Sequence, residues 1–64
     1  MLTARQTDVL GLLARGLTSK RAANVLGIAE HTVKAHGRDA RSRLGARNTA
    51  HAVAIALVEG LIVP

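Results

Sequence analysis

A chain of 64 residues is long enough for one small domain and leaves little room for a pocket. It contains no Phe, Tyr, Trp or Cys. That excludes disulfides, thiolate metal sites and an aromatic core, and no apolar run approaches the ~18 residues of a membrane span. The net charge is +5, and eight of the nine basic residues lie between Arg15 and Arg47, opposed there only by Glu30 and Asp39; the basic middle suits a polyanion and the nearly neutral end suits a protein surface.

The apolar residues recur with helical period from end to end. The first predicted helix runs from Ala4 to Arg15. Thr3 is its N-cap, and Gln6 three residues later completes a capping-box pattern. Val9, Leu10, Leu13 and Leu17 can share a face, and Gly16 stands where a left-handed C′ residue would let Leu17 fold back on the last turn. The second helix opens after Thr18, carries Ala22, Ala23, Val25 and Leu26, and stops at Gly27. Gly27-Ile28-Ala29 forms a tight connection, with Ile28 plugging the space between helices.

The third predicted helix spans Glu30 to Leu44 and ends at Gly45. At ~100° per residue its faces separate. Val33, Gly37, Ala40 and Leu44 form one stripe; Lys34, Arg38 and Arg41 form another, with His31, Ala35 and Ser42 beside them. The fourth helix runs from Thr49 to Glu59 and ends at Gly60, with Val53, Ile55, Ala56, Leu57 and Val58 inside it and Leu61 and Ile62 after it. It is apolar over more than one face, so the surface left over after closing the core is expected to meet a second copy of the chain.

A short helix, a three-residue turn and a longer helix make a helix-turn-helix, whose second helix enters the major groove of DNA. Lys34 and Arg38, one turn apart, project together and can reach base edges, where Arg paired with guanine is the commonest specific contact. Thr18, Ser19 and Lys20 open the second helix, whose free amides and dipole suit a phosphate. Thr32, Arg43 and Arg47 are further candidates for phosphates, which set register without reading sequence.

The residues also carry a resemblance. The run Leu2-Thr3-Ala4-Arg5-Gln6 … Val9-Leu10 … Leu13-Ala14-Arg15-Gly16-Leu17-Thr18-Ser19-Lys20 is similar to the opening of the LuxR-type, GerE-like DNA-binding domain. Ala22 … Leu26-Gly27-Ile28, Thr32-Val33-Lys34-Ala35-His36, Arg43-Leu44-Gly45-Ala46-Arg47-Asn48, Ala52-Val53-Ala54 and Gly60-Leu61-Ile62 continue it over nearly the whole chain. The resemblance implies an all-α, four-helix, tetrahelical helix-turn-helix domain over residues 1–64, here as a stand-alone copy, in a transcriptional regulator. It implies base contacts from Lys34, Ala35 and Arg38, and phosphate contacts from Thr18, Ser19, Lys20, Thr32, Arg43 and Arg47, to which Arg41 is added. It also implies pairing of two copies through the fourth helix, here with Val53, Ala56, Leu57 and Gly60.

Four positions depart from the pattern. The family usually has an aliphatic residue at Gly37, Ile or Val at Ala40, an aromatic residue at Arg41, and a capping Ser or Thr at Ala29. The lost cap costs roughly 1 kcal/mol, and Gly37 about another 1 kcal/mol relative to Ala in a helix interior. Either the third helix is poorly ordered without DNA, or neighbouring side chains collapse into the vacated space. Arg41 adds charge near the DNA face while weakening the core.

No metal site or cofactor is expected. His31 and His36 are five residues apart and point ~140° from each other on a helix, and His51 lies in another helix. Asp8, Glu30, Asp39 and Glu59 are scattered and no nucleophile stands beside a base, which indicates a binding module and not an enzyme. The expected partners are double-stranded DNA and a second copy of the chain, or another LuxR-type regulator, in the cytoplasm and away from membranes. A sigma-factor region 4-like module shares the pattern as far as Lys34, but Leu44-Gly45 … Arg47-Asn48 and the fourth helix argue against it. A rival of another class is an interaction module that pairs with a full-length LuxR-type regulator and blocks it.

Overall fold

The computed structural model describes residues 1–63. They form four helices and, among the described residues, no strand: α1 (Ala4–Ala14), α2 (Ser19–Leu26), α3 (Glu30–Leu44) and α4 (Thr49–Val58). This is the all-α helix-turn-helix arrangement expected from the pattern of caps and glycines.

Local chemistry sets the helix starts. The Gln6 amide donates to Thr3 Oγ1 at 3.2 Å, and the Thr3 amide donates to Gln6 Oε1 at 3.0 Å. The capping box therefore satisfies two otherwise orphaned donors reciprocally. Thr18 accepts from the Arg21 amide at 3.2 Å. A cap absent from the sequence expectations opens α4: Asn48 Oδ1 accepts the His51 amide at 2.8 Å, and His51 Nδ1 accepts the Arg47 amide at 3.1 Å. Helix α3 is the exception. Ala29 has cap-like backbone angles but no side-chain acceptor, and the Thr32 amide turns to the Ala29 carbonyl at 3.1 Å.

The helix ends follow the glycines. Gly27 and Gly45 take φ of 69° and 65°, the left-handed region where a Cβ is penalised. Helices α1 and α4 each stop one residue before the expected boundary, because Arg15 and Glu59 serve as C-caps with non-helical backbone. The Leu17 amide reaches back to the Leu12 carbonyl at 3.2 Å, which folds Leu17 over the end of α1.

Two small clusters make the core, and α1 and α3 belong to both. Val9, Ala22, Ala23 and Val33 join α1, α2 and α3, with Ile28 packed against them from the turn. Leu10, Ala40, Ala52, Ala56 and Ile62 join α1, α3, α4 and the chain end. Adjacent residues Val9 and Leu10 thus serve opposite halves, and α2 and α4 do not meet among the described residues. The largest fully buried side chains are Leu10, Val9 and Val33. Each is worth about 1.5–3 kcal/mol of burial, so the whole interior is modest.

The stripe Val33, Gly37 and Ala40 is buried and Leu44 half-buried. Helix α3 runs unbroken across Gly37. A Cβ added at Gly37 would meet no other atom within 4 Å, so neighbouring side chains have not closed over the space. A shallow apolar groove of about 500 Å³ lies between α1, the end of α2 and the chain end, and no residue of α3 lines it. The small chain therefore does carry a concavity, open to solvent rather than enclosed.

Candidate nucleic-acid interface

Burial of one stripe of α3 fixes what the helix presents outward. With Val33 and Ala40 seated against the other helices and Gly37 buried between them, Lys34 and Arg38 are exposed one turn apart, and His31 and Ser42 are exposed before and after them. Ala35 is half-buried. Lys34 is not free: its Nζ lies 3.5 Å from Glu30 Oε2, in an i,i+4 pair whose side chains are 60% and 46% exposed. At that exposure the pair adds little to stability; its interest lies in where it holds the ammonium. The i,i+4 spacing with the acid N-terminal to the base was the sequence signal that could have revealed it.

The start of α2 supplies a different chemistry. The Thr18 hydroxyl oxygen accepts the Arg21 amide as a cap, which leaves its O–H as a donor for a phosphate, and the residue is exposed. Ser19 is half-buried and Lys20 exposed. Their backbone amides occupy the first helical positions, which have no intrahelical acceptor, and the helix dipole adds positive potential there. Such a terminus accommodates a phosphate.

The remaining candidates are distributed along the flanks. Thr32 and Arg41 are half-buried, while Arg43 and Arg47 are exposed. Arg43 Nη1 donates to the Met1 carbonyl at 3.0 Å. A phosphate at Arg43 would have to share or replace that bond, a link between chain start and α3 that no local pattern announces.

One expected pairing residue is misplaced. Ala56 is 0% exposed within a single chain, in the cluster with Leu10 and Ala40, so its side chain closes the core and cannot meet a second copy. Val53 is half-buried against the same cluster. Gly60 is exposed in the turn that ends α4. The exposed residues of α4 are Ala50, Ala54, Leu57 and Val58, with Thr49 and His51 at its start, and Val58 is 87% exposed. Because α4 is apolar all round, sequence alone could not say which side faced inward.

Among the described residues no helix is long and apolar enough to cross a membrane, and no three His, Asp or Glu side chains converge as a metal site would need.

Residues 1–56 match the family described as bacterial regulatory proteins of the luxR family, GerE. The chain is 36% identical over 61 residues to the transcriptional regulatory protein MctR of Rhizobium johnstonii, covering 95% of this chain and 28% of MctR. It is 48% identical over 48 residues to the nitrate/nitrite response regulator NarP of Escherichia coli, covering 75% of this chain and 22% of NarP. The chain thus spans less than a third of these relatives. In structure it is similar to the transcription factor GerE, with a TM-score of 0.92 and 29% identity over 97% of this chain and 92% of GerE. It is also similar to VqmA of Vibrio cholerae, with a TM-score of 0.89 and 35% identity over 100% of this chain and 30% of VqmA.

Proposed function

The chain belongs to the luxR family of bacterial regulatory proteins, and on that premise we propose that it is a sequence-specific transcriptional regulator, acting in the cytoplasm as one DNA-binding unit over residues 1–64 and not as an enzyme. Helix α3 enters the major groove and α2 crosses the backbone. Lys34 and Arg38 contact base edges, and Ala35 lies against the groove floor. Ser19 and Lys20, with the terminus that Thr18 shapes, hold one phosphate; Thr32, Arg41, Arg43 and Arg47 hold others.

The observation that carries this reading is the exposure of Lys34 and Arg38 together on one solvent-facing side of α3, clear of its buried stripe. Apolar residues at both positions would have removed from that side the two exposed cations that can donate to guanine.

Selection of sites from a random duplex library, followed by a salt titration, tests it. The expected outcome is a preferred sequence whose binding weakens steeply with salt, because each neutralised phosphate releases counterions. Lys20→Ala should weaken every duplex alike and make the slope of log affinity against log salt shallower by about 0.9. A chain that binds no preferred duplex, yet binds another LuxR-type regulator more tightly than itself, would instead be a blocking partner.

Pairing of two copies is part of the proposal. Support comes from the exposed apolar side of α4 and from the similarity to VqmA, which is described as a dimer with a target DNA. Two copies related by a two-fold axis would read a symmetric site. Leu57 is 37% exposed on that side. Leu57→Glu should leave the monomer folded, as judged by circular dichroism, and should abolish association in sedimentation at concentrations where the parent chain pairs. Unchanged association would move the interface off α4.

A further inference from the structure

Glu30 is the one acid that pairs with a groove-reading cation among the described residues, and the proposed function gives it no part. Its carboxylate lies at the first residue of α3, exposed, with Oε2 3.5 Å from the Lys34 ammonium. An acid on a DNA-facing surface opposes every phosphate it approaches. Helix stability offers a partial account, since a carboxylate in the first turn complements the dipole and the i,i+4 pair adds a little more. Neither effect depends on DNA sequence.

We propose that Glu30 is a specificity-determining residue, acting with Lys34 as a donor–acceptor pair that reads one G·C base pair and discourages Lys34 from settling on the phosphate backbone. The inference rests on the proposed placement of α3 in the major groove. A lone lysine is a flexible point charge that any phosphate satisfies, so it carries little sequence information. Holding its ammonium beside a carboxylate changes that. Moving Lys34 to a phosphate either leaves the Glu30 carboxylate unpaired or brings it toward the same negative backbone.

The major-groove edge of a G·C pair presents the opposite case. Guanine offers the N7 and O6 acceptors and cytosine, across the pair, offers the N4 donor. The Lys34 ammonium can donate to guanine while Glu30 accepts from the cytosine amino group, so both members of the ion pair remain satisfied. An A·T pair reverses part of this pattern, with an adenine N6 donor where guanine has its O6 acceptor. The two charges together therefore distinguish base pairs that either alone would distinguish weakly. Arg38, one turn further along the exposed side, pairs with no acid among the described residues and acts independently.

The test uses the whole chain, a duplex recovered by selection with the parent protein, the same duplex with each G·C pair replaced in turn by A·T, and a scrambled duplex of equal length. For Glu30→Gln, which keeps the length of the side chain and removes its charge, the ratio of selected to scrambled affinity should fall roughly tenfold, with the lost preference confined to one G·C position. Binding to the scrambled duplex should strengthen, and its salt slope should steepen by about 0.9 as Lys34 gains a phosphate. Glu30→Gln combined with Lys34→Met should return the scrambled-duplex slope to that of the parent.

An unchanged ratio and slope in Glu30→Gln overturns the inference. So does a parallel loss on all duplexes accompanied by a lower melting temperature, which is the signature of a helix-stabilising role alone. Both results leave the proposed function standing if the parent still selects a site. A parent chain that selects none removes that function and this inference with it.

Discussion

Arg38→Ala should weaken binding to the selected duplex by about 1–3 kcal/mol, the range for a good bidentate pair with a base, which is roughly fivefold to more than a hundredfold in affinity. The loss should be concentrated at one position of the site: the variant should no longer distinguish a guanine there from its replacements. Arg38 is exposed and lies in a helix interior, and Ala is the better helix former, so the fold should be unaffected. Fluorescence anisotropy on the selected duplex and its single-position variants reads both effects. Equal loss on every duplex, with a shallower salt slope, would make Arg38 a phosphate contact and shift base reading to the other cations of α3.

The second large effect is on stability. The double variant Ala29→Ser, Gly37→Ala should be more stable than the parent by about 2 kcal/mol, about 1 from the cap and about 1 from the helix interior. In a domain of this size that corresponds to a melting temperature higher by roughly 8–16 °C. The backbone at Ala29 has φ −72° and ψ 149°, close to Thr3 and Thr18, which both cap their helices. A serine hydroxyl is therefore placed to accept the Thr32 amide. At Gly37 a methyl group meets nothing within 4 Å, so alanine needs no rearrangement, and part of its benefit comes from restricting the unfolded chain. The two sites are eight residues apart, about 12 Å along the helix, so their effects should add. Thermal unfolding followed by circular dichroism measures the gain for each single variant and the pair. A lower melting temperature for Gly37→Ala would mean that the space beside α3 closes in solution.

These two variants also bear on the departures from the family pattern. Losing the cap and the buried side chain leaves α3 supported chiefly by Val33 and Ala40. The helix nevertheless runs from Glu30 to Leu44 without a break. Its interior contacts reach both core clusters, and the Gly45 turn closes its far end. Stabilising α3 in isolation from its DNA contacts separates the contribution of helix order to binding from that of base recognition.

What could be read from the amino-acid order was whatever is governed by neighbours within a turn. Thr3 with Gln6 and Thr18 announced two helix starts, and Gly27 and Gly45 announced two ends, because caps and left-handed turns depend on local hydrogen bonding and on the absence of a Cβ. The buried stripe of α3, and with it the exposure of Lys34 and Arg38, followed from helical period, since polar and apolar residues there occupy separate faces. Tertiary structure alone decided the orientation of α4. Its sequence is apolar on every side, so only contact with α1 and α3 could send Ala52 and Ala56 inward and leave Leu57 and Val58 outside. It alone brought the Met1 carbonyl to Arg43, across a separation that no local pattern encodes. Periodicity fixes a face when the faces differ in chemistry; where they do not, the packing partners choose.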